Sequence, residues 1–199
     1  CNTVYGMDQD EVIPIPGQTG AYRIKDGVTS IAEGAFKYNY NLKSMSIPDS
    51  VTEIGESAFY GSSIRSVKIS EYVTYIPYGT FSESRLESVI IPNSITDISS
   101  YAFKNCKNLE TVKLSESLTD IKNGTFYSCR KLKAVIIPDS VESINRDAFH
   151  ACVSLETIKL SESLTFIGNS AFRVCIKLKS VIIPAVSYTH LTLPTNQCV

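Results

Sequence analysis

Hydrophobic residues recur along this chain with a fixed period of 22 or 23 positions. The clearest marker of the period is a phenylalanine, found at Phe36, Phe59, Phe81, Phe103, Phe126, Phe149 and Phe172. Self-similarity with a period in the twenties is typical of solenoids, in which each repeat forms one coil that packs only against its neighbours. The pattern therefore predicts a single array of stacked coils.

Each period contains a segment of the form L-x-x-V-x-I, in which apolar and polar positions alternate towards the end. Its first inward position holds Leu42, Ile64, Leu86, Leu109, Leu132, Leu155 and Leu178. Its last inward position holds Ile47, Ile69, Ile91, Leu114, Ile137, Leu160 and Ile183. Alternation predicts a short strand with one face inward and the other outward. We expect these strands to form a parallel β-sheet on the concave face of a leucine-rich repeat solenoid.

The rest of each period forms a return leg on the convex face. Two apolar residues three positions apart, such as Val141 and Ile144, lead into the repeated phenylalanine. This spacing predicts a short strand or extended turn followed by one helical or 3₁₀ turn. The register assigns residues 19–184 to the solenoid, 1–18 to an N-terminal linker or irregular cap, and 185–199 to a non-repeat tail.

Composition and charge exclude several classes of function. The 199 residues have a net charge of −1, with lysines interleaved among acidic residues, so the basic surface typical of nucleic-acid binding is absent. No apolar run approaches the roughly 18 to 20 residues that span a bilayer. No basic segment followed by an apolar one marks an export signal, which we expect to be removed or to lie outside this sequence.

The repeat L-x-x-V-x-I-P-x-S-V-x-x-I-x-x-x-A-F-x-x-C resembles the BspA-like leucine-rich repeat of surface proteins from bacteria and some protists. The resemblance covers residues 19–184 and includes Ala-Phe and Cys at fixed offsets as well as the leucines. It implies a right-handed solenoid, a location at the cell surface, and adhesion to host matrix proteins or to other cells. It implies no catalytic residue and no defined ligand, because the motif is structural.

The C-terminal tail departs from the repeat in the middle of a coil. Residues 186–195 resemble the conceptual translation of a transposon-type adapter used in shotgun sequencing libraries. On this interpretation His190 and Cys198 have no biological role. The alternative is an irregular C-terminal cap in which Leu191 and Leu193 cover the last coil.

Four cysteines, Cys106, Cys129, Cys152 and Cys175, follow the repeated phenylalanine by three positions. Equivalent residues on successive coils lie about 4.8 Å apart in one line, so the outer two would be about 14 Å apart. Four such sulfurs do not surround one zinc ion. Neighbouring pairs are close enough for disulfides, but parallel side chains in a dry interior disfavour the torsion that a disulfide needs. We expect buried free thiols, without a metal or a cofactor.

Other residues with reactive side chains give no catalytic constellation. No nucleophile with a histidine and a carboxylate, no glycine-rich phosphate loop and no calcium-loop spacing is found, so we predict a protein that is not an enzyme. His150 occupies a slot that varies between coils, which predicts a solvent-facing side chain. Cys1 precedes a polar, proline-containing segment, as in a lipoprotein after signal-peptide removal. Lipidation of Cys1 would be the chain's membrane attachment, unless the sequence simply begins within a longer protein.

Outward strand residues offer a first candidate binding surface. The position before the last inward residue holds Lys68, Ile90, Lys113, Ile136, Lys159 and Ile182 in successive coils. This stripe either binds a ligand or stabilises the strands, with lysine stems lying over β-branched residues. Duplication of a two-coil unit would also copy the pattern, because residues 108–119 match 154–165 at ten of twelve positions.

A second candidate surface is aromatic. Tyr72, Tyr75 and Tyr78 fall on the return leg of one coil, near Tyr60 and Tyr101. Tyrosine is common at protein interfaces, so these residues predict a convex binding patch, with simple edge packing as the alternative.

The outward residues beside the stripe mix both charges with small side chains and predict no deep pocket. Such a surface suits a protein or glycan ligand better than a small substrate. The sequence therefore favours a non-enzymatic adhesion module, extracellular or at the cell surface, that binds through the concave sheet or the tyrosine patch. The alternative is an intracellular leucine-rich repeat scaffold for protein–protein interaction, with which free thiols are compatible.

Overall fold

The computed structural model describes residues 3–4, 6 and 11–182, and each coil in this part contains two short strands joined by turns. The strands of three or four residues are β2 (Val12–Pro14), β3 (Ala21–Ile24), β5 (Ser44–Ser46), β7 (Ser66–Lys68), β9 (Ser88–Ile90), β11 (Thr111–Lys113), β13 (Ala134–Ile136), β15 (Thr157–Lys159) and β17 (Ser180–Ile182). The two-residue strands are β1 (Thr3–Val4), β4 (Ser30–Ile31), β6 (Glu53–Ile54), β8 (Tyr75–Ile76), β10 (Asp97–Ile98), β12 (Asp120–Ile121), β14 (Ser143–Ile144) and β16 (Phe166–Ile167).

The longer strands lie side by side in what we call the main sheet. Their order is β2-β3-β5-β7, then β9-β11, then β13-β15-β17, and every pair except β2 with β3 is parallel. Backbone hydrogen bonds continue between these groups: Glu87 N–H donates to Arg65 O at 2.9 Å, and Lys133 N–H donates to Glu110 O at 3.4 Å. The predicted parallel sheet of a leucine-rich repeat solenoid is thus confirmed.

The two-residue strands form a second parallel row on the return leg, in the order β1-β4-β6, β8-β10 and β12-β14-β16. The predicted extended segment is therefore present, but no described residue is in a helix. Hydrogen bonds alternate instead: Ala58 N–H donates to Gly55 O in its own coil, whereas Phe59 N–H donates to Thr80 O in the next coil. Because every second N–H pairs across coils, the i to i−4 bonds of a helix cannot form.

Two left-handed residues in each coil turn the chain around the phenylalanine. Their φ angles lie between 53° and 63°, and the pairs are Gly34 and Tyr38, Ser57 and Gly61, Gly79 and Glu83, Tyr101 and Asn105, Gly124 and Ser128, Asp147 and Ala151, and Ser170 and Val174. Most of these residues are not glycine, although a left-handed backbone is costly for other residues. Alternate cross-coil hydrogen bonds hold the backbone in this conformation.

The core is a column of phenylalanine rings between the two rows of strands. From Phe36 to Phe172, consecutive ring centroids are 5.1 to 5.6 Å apart and the ring planes are within 15° of parallel. The rings from Phe36 to Phe149 are at most 1% exposed, whereas Phe172 is partly buried. Each ring from Phe59 to Phe149 is therefore packed between two others, as expected for coils that are stable only in a stack.

The first described residues extend both rows of strands at the N-terminal end. Thr3 of β1 pairs with Ser30 of β4, and Val12 of β2 pairs antiparallel with Ile24 of β3. The domain boundaries at residues 18 and 185 stay predictions. Cys1 and the tail lie outside the described residues. Within the described part, no helix has the length and hydropathy that a membrane span requires.

Candidate functional site

The main sheet presents six outward side chains in one row, which we call the Lys/Ile stripe: Lys68, Ile90, Lys113, Ile136, Lys159 and Ile182. Strand register makes them direct neighbours, since Ile90 pairs with Lys113, and Lys159 lies between Ile136 and Ile182. All six are exposed. Alternation along each strand explains this, because Val89 is 3% exposed and the next residue, Ile90, is 66% exposed.

Exposure of the isoleucines bears on the two interpretations of the stripe. Ile136 is 67% exposed and Ile182 is 53% exposed. Lysine stems that lay over these side chains would cover much of that surface. The described geometry leaves the apolar groups open to solvent, between cations that are two strands, or about 10 Å, apart.

A row of paired charges flanks the stripe. Arg65 lies 3.6 Å from Glu87, and Glu110 lies 3.0 Å from Lys133 and 3.8 Å from Lys131. The hydrogen bond and charge of Lys133 lower the pKa of Glu110. By contrast, among the described residues the three stripe lysines form no ion pair. Their charges are therefore available to a ligand.

The three tyrosines of the predicted aromatic patch are exposed on one return leg. Tyr72 is 60%, Tyr75 42% and Tyr78 48% exposed. Tyr78 packs edge-on against Tyr101, with ring centroids 5.9 Å apart. Tyr60 packs against Tyr38 of the preceding coil at 5.4 Å. The structure thus joins Tyr78 to Tyr101 as expected and places Tyr60 in a different ring pair.

The four thiols form a column beside the phenylalanine rings. Cys106, Cys129 and Cys152 are buried and Cys175 is partly buried, and all four are free thiols, as predicted. Each Sγ donates to the carbonyl oxygen of the phenylalanine in the preceding coil at 3.0 to 3.2 Å. Burial raises the pKa of Cys106 to about 12 and that of Cys175 to about 11, and it also raises the pKa values of the other two. The thiols are structural donors rather than nucleophiles.

The prediction that His150 faces solvent is wrong. Its ring stacks on Tyr127 with centroids 4.7 Å apart and planes 1° from parallel. Nδ1 lies 3.4 Å from Asp147 Oδ1, and only 15% of the side chain is exposed. The slot is variable in sequence, yet the neighbouring coil covers it because aromatic side chains of adjacent coils stack there.

A polar cleft of about 340 Å³, which we call the corner cleft, was not predicted from the sequence. Its lining residues are Glu83, Ser84, Arg85, Asn105, Lys107 and Asn108. They belong to the corner loops, the segments between each phenylalanine and the next main-sheet strand. The signal was present in the period: steps of 22 residues at Phe59 to Phe81 and at Phe81 to Phe103 mark loops that are one residue shorter.

Comparison with known families identifies the repeat. A model of the BspA type leucine-rich repeat region, six copies long, matches residues 20–133 and 74–193. These matches span most of the chain. The chain belongs to the BspA-type leucine-rich repeat family. No curated protein matches it closely enough to count as a relative.

Solved structures resemble this BspA-type solenoid over most of its length. A leucine-rich repeat protein from Bacteroides ovatus is 25% identical, with a TM-score of 0.64, and the match covers 92% of this chain and 60% of that one. The T. pallidum leucine-rich repeat protein TpLRR is 24% identical, with a TM-score of 0.70 and 90% coverage of both chains. The pneumococcal vaccine antigen PcpA is 18% identical, with a TM-score of 0.56, and the match covers 94% of this chain and 55% of that one. The last two likenesses concern the fold alone.

Family membership agrees with the chemistry of the described residues. Leucine-rich repeat proteins are in general non-enzymatic binding modules. In the part of the chain that the structure describes, no three His, Cys, Asp or Glu side chains are grouped so as to hold a metal ion.

Proposed function

We propose that this protein is a non-enzymatic adhesion module at a bacterial cell surface, and that the Lys/Ile stripe is its ligand-binding surface. Membership of the BspA-type family supports a binding role. The observation that carries the proposal is the exposure of Ile90 and Ile136, at 66% and 67%, between lysines without ion pairs. Exposed apolar side chains in a row are typical of interaction surfaces.

The chemistry of the stripe favours a protein ligand over a glycan. The isoleucine side chains contribute to the free energy of binding only where they contact apolar groups of the ligand. The alternating lysines require carboxylates on the ligand that are also about 10 Å apart. An acidic protein surface with apolar side chains between its charges meets both conditions. Ion pairs at the edge of such an interface would speed association and make it sensitive to salt.

A charge reversal tests the stripe. The probes are purified matrix proteins coated on a surface, and the variant is the double change Lys113→Glu and Lys159→Glu. The probe to follow is the matrix protein that binds the unmodified chain. We expect the double variant to bind that protein at least tenfold more weakly, because two cations become anions that repel the acidic ligand.

The matched control is Lys25→Glu with Arg130→Glu, which makes the same change in net charge at exposed positions outside the stripe. It should bind as the unmodified chain does. If the stripe variant binds unchanged, the stripe is not the site, and Tyr72, Tyr75 and Tyr78 become the candidates, to be tested by substitution with serine.

A second candidate function is an intracellular scaffold for protein partners. It is favoured by the free thiols of Cys106, Cys129, Cys152 and Cys175, since reducing compartments keep thiols free. The gene upstream of Cys1 distinguishes the two functions. A signal sequence ending at Cys1 would support surface location and lipidation of that residue, whereas continuous coding sequence without an export signal would support the scaffold.

A further inference from the structure

The corner cleft arises from a difference in loop length between neighbouring coils. The corner loops 60–63 and 82–85 have four residues, and the flanking loops 37–41 and 104–108 have five. Stacked loops of equal length form an even ridge, so two shorter loops between longer ones leave a depression. The residues that line it come from the short loop 82–85 and from the longer loop 104–108 beside it.

The floor of this depression has no free backbone edge. Glu83 N–H donates to Lys104 O at 2.7 Å, Arg85 N–H donates to Ser62 O at 3.3 Å, and Asn105 N–H donates to Tyr127 O at 2.7 Å. Ser62 and Ser84 are at most 2% exposed and fill the space below. A peptide that binds by strand addition needs a free strand edge, and one that binds through its apolar side chains needs apolar pockets; the cleft lining supplies neither.

The side chains of the cleft, by contrast, have unused hydrogen-bonding groups. Within the described residues, the side chains of Arg85, Asn105, Lys107 and Asn108 take part in no hydrogen bond or ion pair with the protein. The Glu83 carboxylate is engaged by the Tyr60 hydroxyl, and burial together with this hydrogen bond raises the pKa of Tyr60 to about 12. The cleft therefore carries two cations against one carboxylate that already has a partner.

We propose that the corner cleft binds a short acidic oligosaccharide of the uronic acid class, separately from the Lys/Ile stripe. Arg85 and Lys107 bind the sugar carboxylate, and the amides of Asn105 and Asn108 each offer donors and an acceptor to adjacent hydroxyls. The volume of about 340 Å³ suits a small ligand.

The test uses trigalacturonic acid as the probe and its trimethyl ester as the matched neutral probe. Binding to the full chain is measured by calorimetry and by ligand-observed NMR. We expect trigalacturonic acid to bind and its ester to bind at least tenfold more weakly. Arg85→Ala and Lys107→Ala should each weaken binding of the acid at least tenfold, whereas Lys177→Ala, at an exposed corner position three coils beyond the cleft, should leave it unchanged.

A loop-length variant tests the geometry directly. Insertion of one asparagine between Ser84 and Arg85 gives this loop the five residues of its neighbours and fills the cleft. It should abolish binding of trigalacturonic acid while the far-ultraviolet circular dichroism spectrum stays the same. The matched control is insertion of one asparagine between Val153 and Ser154, in a corner loop two coils beyond the cleft, which should leave binding unchanged.

Three results would overturn the proposal. They are failure of trigalacturonic acid to bind at millimolar concentration, equal binding of the acid and its ester, and equal binding of a triaspartate peptide, which carries the same side-chain charge without sugar hydroxyls. The Lys113→Glu and Lys159→Glu variant separates the two proposed sites. It should bind trigalacturonic acid as the unmodified chain does, so that failure of one site leaves the other standing.

Discussion

At the scale of single residues, the repeat position three residues after each phenylalanine holds different side chains that make similar hydrogen bonds to the backbone. Cys106 Sγ donates to Phe81 O at 3.0 Å, and Ser62 Oγ donates to Phe59 O at 2.8 Å. Asn39 Oδ1 instead accepts from the N–H groups of Asn41 and Leu42 at 3.1 Å. In each case a small polar group satisfies a backbone atom at the corner, which explains why cysteine is interchangeable with serine and asparagine there.

Thiol labelling in the native state tests this structural role. Cys175 should react first with iodoacetamide, and Cys106, Cys129 and Cys152 should react only on unfolding. Burial raises the pKa of Cys175 to about 11, so below that pH its rate should rise about tenfold per pH unit as thiolate forms. Peptide mapping by mass spectrometry identifies the labelled residue and separates these four from Cys1 and Cys198.

The chain unfolded in urea is the reference for this experiment. Its four thiols should label at similar rates, roughly a hundredfold or more faster than Cys129 in the native state. Labelling of native Cys129 as fast as Cys175 would show that the thiol column is open to solvent.

At the scale of the element, contacts between equivalent corners decide which residues the left-handed positions accept. Gly124 has φ of 57°, and a Cβ there would overlap the Tyr101 ring of the preceding coil. That ring also packs against Tyr78 at 5.9 Å and lies under Lys104 Nζ at 5.3 Å. At other corners the same left-handed position accepts Ser57 or Asp147. Glycine is therefore required where a tyrosine of the previous coil covers the corner.

The substitution Gly124→Ala measures this ring contact against Gly17→Ala. Gly17 has φ of 74°, and nothing lies within 4 Å of the place that a Cβ would take, so its substitution costs only the left-handed strain of about 1 kcal/mol. Gly124→Ala should lower the free energy of unfolding by roughly a further 1 to 3 kcal/mol, the cost of overpacking. Urea denaturation measures both values.

Removal of the ring is the control for this comparison. In a Tyr101→Ala background the extra cost of Gly124→Ala should disappear, because nothing then occupies the space of the new Cβ. Equal costs for Gly124→Ala and Gly17→Ala in the unmodified chain would mean that the ring moves away without loss of packing energy.

At the scale of the whole molecule, the period of the sequence was sufficient to predict the coils, the main sheet and its outward residues. Alternation around Val89 and Ile90 assigns one side chain to the core and the other to solvent, whatever the neighbouring coil contains. The cover over His150 and the corner cleft at Arg85 were not predicted. Both features depend on the side chains and the loop lengths at equivalent positions of adjacent coils. A motif averaged over all repeats does not contain that information.

Because each coil contacts only its neighbours, energetic coupling should also be confined to neighbours. Phe103 and Phe126 stack with centroids 5.4 Å apart, whereas Phe59 and Phe149 are four coils apart. We expect each Phe→Leu change to lower the free energy of unfolding by about 1 to 2 kcal/mol, since it alters packing in the core. The double variant of Phe103 and Phe126 should depart from additivity by at least about 0.5 kcal/mol.

The distant pair is the matched control, because it places the same two substitutions in equally buried rings. Phe59→Leu and Phe149→Leu should add to within about 0.5 kcal/mol, as independent sites do. Urea denaturation of the four single and two double variants gives both coupling energies. Coupling of Phe59 to Phe149 as strong as that of Phe103 to Phe126 would contradict nearest-neighbour stability, and it would mean that a change in one coil is transmitted along the whole phenylalanine column.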